Sequence, residues 1–487
     1  MHLFFVIVVV VYSVVAAQAA SGRPVKTANY DSGPFGSAIP SLLMEYHDYT
    51  IGDMRQRFAF PVRNMLYRAD CAVSHEAIGD STATKSRKCA WVGLSESHVT
   101  GMVMDDGFSV GVFASGFVDS LEFDIDARFN WIRFSADISE LDGESVHEIW
   151  DDGDNWVNYT RYRGHIGYNY AWVRLELGHD AMHWGPGYYN NLTLNRQAIP
   201  YSYVSVDLNF GPLRILSFYS KLRIDSANVY THQDDYRNFY GHRYELALGN
   251  LTVGLSEIQL IYNNNNPWLI VPIVPLFIEK GNYEEQHNNG AISFDFNYRL
   301  FRTARLYGEF FLDDFDSPIA VIKNNYMDSE WAWMLGAHVV HDIVGGLNNV
   351  QIGSVFEIAR IEQLVYSHYA SFQGQLANAG RVLGNSNGPN SLSIDWLVYL
   401  RLTHGLHVLY ASLRNSWMWK GNVYGSDFNQ AIIPGVSPKM RKDYLGGAKM
   451  HYCITPSLAY ETSFWGASAE VGFGYKSEKN AKIWVKW

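Results

Sequence analysis

His179, Asp180 and His183 lie within five residues and are of types that bind metals or move protons. Trp184-Gly185-Pro186-Gly187 follows directly. Two histidines four residues apart come close enough to share a metal when they sit on a helix. Here they lie between a strand pattern and a glycine–proline turn, and no third ligand follows. The spacing therefore argues against a metal centre. These groups are expected to bond backbone or water and to fix a rigid loop. Asp313-Asp314 is a carboxylate pair of the kind a glycosidase needs. Adjacent strand residues point to opposite faces, so this pair cannot act on one bond. Trp150 and Trp156 stand among Glu144, Glu148, Asp151, Asp152 and Asp154. Rings beside carboxylates suit sugar recognition, by stacking and by hydroxyl bonding. An ordinary solvated loop has the same composition. No acid, base and nucleophile cluster emerges, and no cofactor motif. The expectation is a protein that is not an enzyme.

The elements that must position these residues are strands. In Tyr170–Gly187, Ala171, Val173, Leu175 and Leu177 share one face, while Tyr170, Trp172, Arg174 and Glu176 share the other. Gly178 and then Gly185-Pro186-Gly187 are expected to stop the strand. Val204, Val206 and Leu208 alternate with Tyr203, Ser205, Asp207 and Asn209. Leu306, Gly308, Phe310 and Leu312 alternate with Arg305, Tyr307, Glu309, Phe311 and Asp313. Ile394, Trp396, Val398, Leu400 and Leu402 alternate with Ser393, Asp395, Tyr399 and Arg401. Eighteen segments of this kind run from residue 108 to residue 487. A parity flip after Phe129 predicts a turn at Asn130-Trp131, and Thr455-Pro456 reads as another turn.

Short connections such as Gly211-Pro212, Gly249-Asn250 and His404-Gly405 alternate with long ones at 140–160, 179–201, 262–289 and 360–390. Short turns on one side and long loops on the other describe an outer-membrane barrel. The fold expected is all-β, a transmembrane antiparallel barrel of about 18 strands. Closure leaves no backbone edge unpaired in lipid. The last strand ends on Trp487, an aromatic terminal residue of the kind the barrel-assembly machinery reads.

The barrel gives the charges a direction. Arg174, Glu176, Asp207, Arg243, Glu245, Arg305, Glu309 and Asp313 lie on the polar sides of their strands. Facing lipid, such charges would cost roughly 2–4 kcal/mol each near the midplane. They are expected inside the lumen, bracing it by cross-strand pairing or contacting a ligand. The apolar face from Ala171 to Leu177 is expected to meet lipid, with Tyr170 and Trp172 inside or at the rim. Residues 262–290 combine an asparagine run with Pro267, Trp268, Pro272, Pro275 and Phe277. Such a loop is expected to fold into the barrel or onto other loops rather than stay in water.

The chain has 487 residues, 18% charged and 15% aromatic, a ring content suited to membrane interfaces or sugars. Its net charge of -11 excludes the basic footprint that nucleic acid requires. An apolar run from Leu3 to Val15 and the Ala17-Gln18-Ala19 site read as a signal peptide over residues 1–19. Residues 20–106 are expected to form a small, partly helical periplasmic subdomain, and 107–487 the barrel. Cys71 and Cys89 share a polar segment and either pair or stay free; Cys453 lies in a strand pattern.

Several stretches resemble the capsule assembly Wzi family of outer-membrane proteins. They are LGHDAMHWGPG at 177–187 with LTLNRQAIPY at 192–201, FGPLRILSFYSKL at 210–222, and GHRYELALGNLTVGLSEIQLIY at 241–262 with VPIVPLFIE at 271–279. LYGEFFLDDF at 306–315 completes the set. The resemblance implies an 18-stranded barrel in the bacterial outer membrane, a helical periplasmic part and a lumen occluded by loops and charged side chains. It also implies a non-catalytic role binding capsular or exopolysaccharide at the cell surface. A porin-like channel for oligosaccharides is the alternative. The Cys71 and Cys89 pair departs from the family pattern.

Overall fold

The computed structural model describes residues 93–487 except 105–106, 119–120, 134–155, 171, 224–235, 263–265, 273–274, 277–287, 301–302, 314–329, 346–347, 369–373, 405–406, 431–442, 462–464, 475–478 and 487. The signal peptide, the segment before residue 93, Cys71, Cys89, Trp150, Asp314 and Trp487 lie outside the described residues. So does the side chain of Trp156, whose backbone opens a strand.

The described residues are mostly antiparallel strand. The elements are β1 (Gly93–Met104), β2 (Gly107–Val118), β3 (Leu121–Arg133), β4 (Trp156–Tyr170), β5 (Val173–Asp180), β6 (Tyr201–Phe210) and β7 (Leu213–Arg223). There follow β8 (Tyr236–Leu248), β9 (Leu251–Tyr262), β10 (Asn289–Leu300), β11 (Ala304–Asp313), β12 (Glu330–Gly345) and β13 (Asn348–Ile361). A small hairpin, β14 (Ala377–Asn378) and β15 (Arg381–Val382), stands apart within a long loop. The main sheet resumes with β16 (Ser391–His404), β17 (His407–Lys420), β18 (Lys449–Glu461), β19 (Trp465–Val471), β20 (Phe473–Gly474) and β21 (Lys479–Lys486). Successive main strands pair antiparallel from β1 to β19; β20 pairs with β18, β19 pairs with β21, and β21 pairs back with β1.

The alternation seen in sequence is the alternation of burial. On β6, Tyr201, Tyr203, Ser205 and Asp207 are buried, while Ser202 and Val204 are exposed. On β5, Leu175 is 50% exposed and Leu177 60%, whereas Arg174 and Glu176 are buried. The buried face is the inner one, because the connection 181–200 touches β7, β11, β13 and β16 across it, through Phe218, Glu309, Glu357 and Asp395. The leucine face points outward, as an apolar wall should toward lipid.

Where strands need close approach, glycine faces a ring. Gly336 pairs with Tyr307 and Gly353 with Tyr399, and a Cβ at either glycine would collide with the tyrosine ring. The missing side chain makes room for the ring and lets it close over the neighbouring backbone.

Several expectations need correction. The sheet begins at Gly93, inside the segment assigned to the N-terminal subdomain, because β1 pairs with both β2 and β21. No turn breaks β3 at Asn130-Trp131, since these residues pair with Ser109 and Phe108. β18 runs through Pro456, which pairs with Leu413 on β17. On its other side the ladder lapses between Ile454 and Ser457, where β19 gives way to β20. Proline has no N–H to donate, and the gap asks for none. Gly178 continues β5 instead of ending it, and lies under the ring of Tyr203. Tyr170 and Trp172 flank the β4–β5 turn and are exposed, with Trp172 stacked on Phe210 at 5.2 Å.

Candidate functional site

The site is the interior, filled from one end by two long connections. The first, residues 181–200, is buried along nearly its whole length. Its path follows from its sequence. Gly185 has φ +118, a conformation L side chains rarely adopt, and a Cβ there would meet Glu309 and Asn191. Asn191 closes the turn: its Oδ1 accepts from Gly187 N at 2.6 Å, and its amide lies 2.7 Å from the His183 ring. Trp184 N donates to Leu194 O at 3.1 Å. Trp184, Leu192 and Leu194 then pack with Phe218, Phe239 and Leu260 from the strands, as a soluble core would. Each such fully buried side chain stabilises by about 1.5–3 kcal/mol.

A loop inside a wall must place its backbone donors. Here strand carboxylates receive them. Glu357 on β13 accepts from Tyr188 N at 2.5 Å, Tyr189 N at 3.0 Å and Asn190 N at 3.1 Å, and from Tyr307 OH at 2.9 Å. Glu309 on β11 accepts from Leu192 N at 2.8 Å, Thr193 N at 2.9 Å and Thr193 Oγ1 at 2.5 Å. Asp395 on β16 accepts from the Asn190 amide at 2.9 Å and pairs with Arg414 at 2.7 Å. Bonds to ionised acceptors are about twice as strong as neutral ones.

The described parts of the second connection, 362–368 and 374–390, pack on the first. Asp313 accepts from Tyr366 N at 2.5 Å. Tyr366 OH donates to Leu192 O at 2.7 Å and accepts from Asn385 N at 3.1 Å. Arg237, wholly buried, donates to Gln375 O at 2.5 Å and also to Ala377 O.

The remaining inner charges are a belt on β5–β10 and Arg305 on β11. Arg174 pairs with Glu176 at 2.5 Å, and Tyr203 OH donates to Glu176 at 2.6 Å. Arg214 grips Asp207 through two bonds, at 2.8 and 2.7 Å, and reaches Glu245 at 3.6 Å. Arg243 joins Glu245 at 2.9 Å to Asp295 at 2.6 Å. Arg305 lies 4.3 Å over the Tyr307 ring and 5.5 Å from that of Tyr188, and donates to Pro186 O at 3.3 Å. Pairing is what makes such burial tolerable, since a lone buried charge is costly.

All eight inner charges expected from sequence are therefore inside. They divide into roles the sequence did not separate: Glu309, Asp313 and Arg305 hold loops, and the other five brace the wall. The histidine group is split. His179 belongs to β5 and faces outward, stacked on Tyr162 at 4.5 Å and bonded to Ser202 at 3.0 Å. It is not part of the loop across the mouth. Asp180 faces inward, 3.4 Å from Arg163, and His183 is buried in the loop. Burial first, and the Arg196 guanidinium second, push the His183 pKa down to about 3, so it is neutral. Burial lifts the Tyr189 phenol to about 12. Among the described residues no cluster of three His, Cys, Asp or Glu side chains is placed to hold a metal.

Sequence reasoning missed Arg214, Asp295, Glu357 and Arg414 as site residues. Each lies on the inner parity of its strand. On β7 and β13 that face also carries Leu216, Phe218 and Val355, so it reads as apolar. Counting parity outward from Arg243 across the ladder would have found Arg214 and Asp295.

No protein-family model and no curated relative matches the sequence. Solved structures do. Wzi, an outer-membrane protein involved in group 1 capsule assembly in Escherichia coli and described as a carbohydrate-binding β-barrel, matches over 80% of this chain and 84% of its own. The TM-score is 0.52 at 14% identity. OccAB2 of Acinetobacter baumannii matches over 80% and 97%, at TM-score 0.39 and 8% identity. OprD of Pseudomonas aeruginosa, an outer-membrane protein, matches over 80% and 92%, at TM-score 0.35 and 12% identity. The Wzi likeness, joined to the pairing of the strands, gives this chain the fold of an outer-membrane β-barrel.

Proposed function

We propose that this chain is a closed, 18-stranded outer-membrane barrel of the Wzi kind that binds capsular or exopolysaccharide at the cell surface without catalysis. The observation that carries the reading is the loop-filled interior: residues 181–200 and 362–390 are fixed to β8, β11 and β13 by Arg237, Glu309, Asp313 and Glu357. These polar groups spend their bonding capacity on loop backbone and not on a solute path. In this reading the interior is a brace, and the long-loop end meets the polymer. Lipid surrounds the leucine face. The likeness to a carbohydrate-binding barrel supports the reading.

A porin-like channel is the second reading. It is favoured by the wall at β17, where Arg414 is 33% exposed and Ser416, Met418 and Lys420 are only half-buried. Planar-bilayer recording separates the two. The purified barrel is expected to insert without steady current, and stable open-channel currents would overturn the occluded reading. Glycan-array binding and surface-polysaccharide retention in a deletion strain test the binding role. Normal retention, with no glycan bound, would sink it.

A further inference from the structure

Residues 267–278, PWLIVPIVPLFI, carry no charge, follow four asparagines and precede Glu279-Lys280. Strand register shows which wall residues 267–272 cover. Val204 and Val206 face outward with Leu175 and Leu177. Their partners on β7 are Tyr219 and Ser217; the next are Tyr240 and His242 on β8, then Gln259 and Glu257 on β9. These polar side chains thus stand on the outer face. Yet Tyr240 and His242 have no exposure, and Glu257 has 4%.

The connection from β9 to β10 is what hides them. His242 Nε2 donates to Leu269 O at 2.8 Å while its Nδ1 lies 3.3 Å from Glu257. Ser217 Oγ donates to Ile270 O, and Tyr244 OH to Pro272 O at 3.3 Å. Asn266 N donates to Tyr240 OH at 3.2 Å. Leu269 and Leu276 pack beneath, on Tyr240 and Ile261. The segment therefore descends the outside of the sheet, against the expectation that it folds into the barrel or onto other loops.

Its anchors run from Tyr240 to Tyr244, the middle of the 13-residue strand β8. A tilted strand crosses the hydrocarbon in about 9–11 residues, so the segment lies at that depth. Its far side shows Pro267, Trp268 at 79% exposure and Val271 at 38%. That surface continues into Leu246 and Leu255 on the bare wall below. Among the described residues this outer side is apolar, uncharged and continuous with the bare wall, so lipid is the occupant that suits both.

We propose that residues 266–272 form an external strap whose outer side, led by Trp268, is the lipid-contacting surface over β7–β9. The strap replaces the wall there. It lets a buried His242–Glu257 pair occupy an outward position that lipid could not solvate.

The test places the photo-crosslinking residue p-benzoylphenylalanine at Trp268, and separately at Leu177 on the bare wall, in the full chain folded into bilayers of phospholipid and lipopolysaccharide. Heat-modifiable migration on gels reports that each variant is folded. Lipid adducts at both positions are the expected result. Adducts at 177 together with a chain–chain dimer, or no adduct, at 268 would overturn the strap while leaving the barrel reading intact. No lipid adduct at either position would overturn both.

Discussion

Two long connections leave the same end of the sheet and meet opposite fates. Residues 181–200 enter the interior, whereas 266–272 lie on the outer wall. The inner loop is held through its N–H groups, which Glu357 and Glu309 accept. The outer strap is held mainly through its carbonyls, to which His242, Ser217 and Tyr244 donate. The difference follows from composition. Pro267 and Pro272 remove donors from the strap, so the wall beneath need supply few acceptors. Donors dense at 188–193 require carboxylates opposite them, and an interior can hold carboxylates that a lipid-facing wall cannot.

The largest effect should come from the inner anchor. Glu357→Ala leaves the Tyr188, Tyr189 and Asn190 amides without their shared acceptor and is expected to cost about 3–5 kcal/mol. Thermal unfolding followed on heat-modifiability gels measures it. A melting temperature equal to wild type would mean that the inner loop is not carboxylate-held.

A second effect is on pH. His183 has its pKa lowered to about 3 in the folded chain, against 6.5 when unfolded. The unfolded state therefore binds the extra proton between these values. The contribution is complete above pH 6.5 and is lost progressively as pH falls toward 3. Between pH 6.5 and 5 the loss is about 2 kcal/mol. Wild type is expected to lose stability over that window faster than His183→Asn, and parallel pH profiles would show that the ring is not buried neutral.

The smallest effect belongs to the strap. Ser217→Ala removes one donor to Ile270 O and should cost about 1 kcal/mol. Hydrogen exchange confined to the strap is its readout, with the inner loop unchanged. Faster exchange in both regions would mean that the two connections are coupled through the wall.

Much of this was legible in the sequence. Period-2 alternation fixed the strands, and the penalty for charge in lipid fixed which face turns inward. Arg174, Glu176 and Asp207 could be placed with no structure at all. The errors have local causes. Pro456 resembles a turn because its effect depends on whether the neighbouring strand asks for its N–H there. Gly178 resembles a stop because the ring of Tyr203 that fills its place lies 25 residues away in the chain.

His179 and His183 show where sequence reasoning ends. Adjacent letters predict shared chemistry, but the strand ends at Asp180, so one ring goes outward and the other inward. The sequence by itself determined the strand class, the inward direction of the charges and the demand that long apolar loops find cover. The tertiary structure alone decided which loop goes inside and which outside, and which carboxylate meets which amide. Alternation is a property of one strand's geometry and can be read locally. Pairing of Glu357 with Tyr188 spans 169 positions and exists only once the sheet has curved to bring β13 beside the loop after β5.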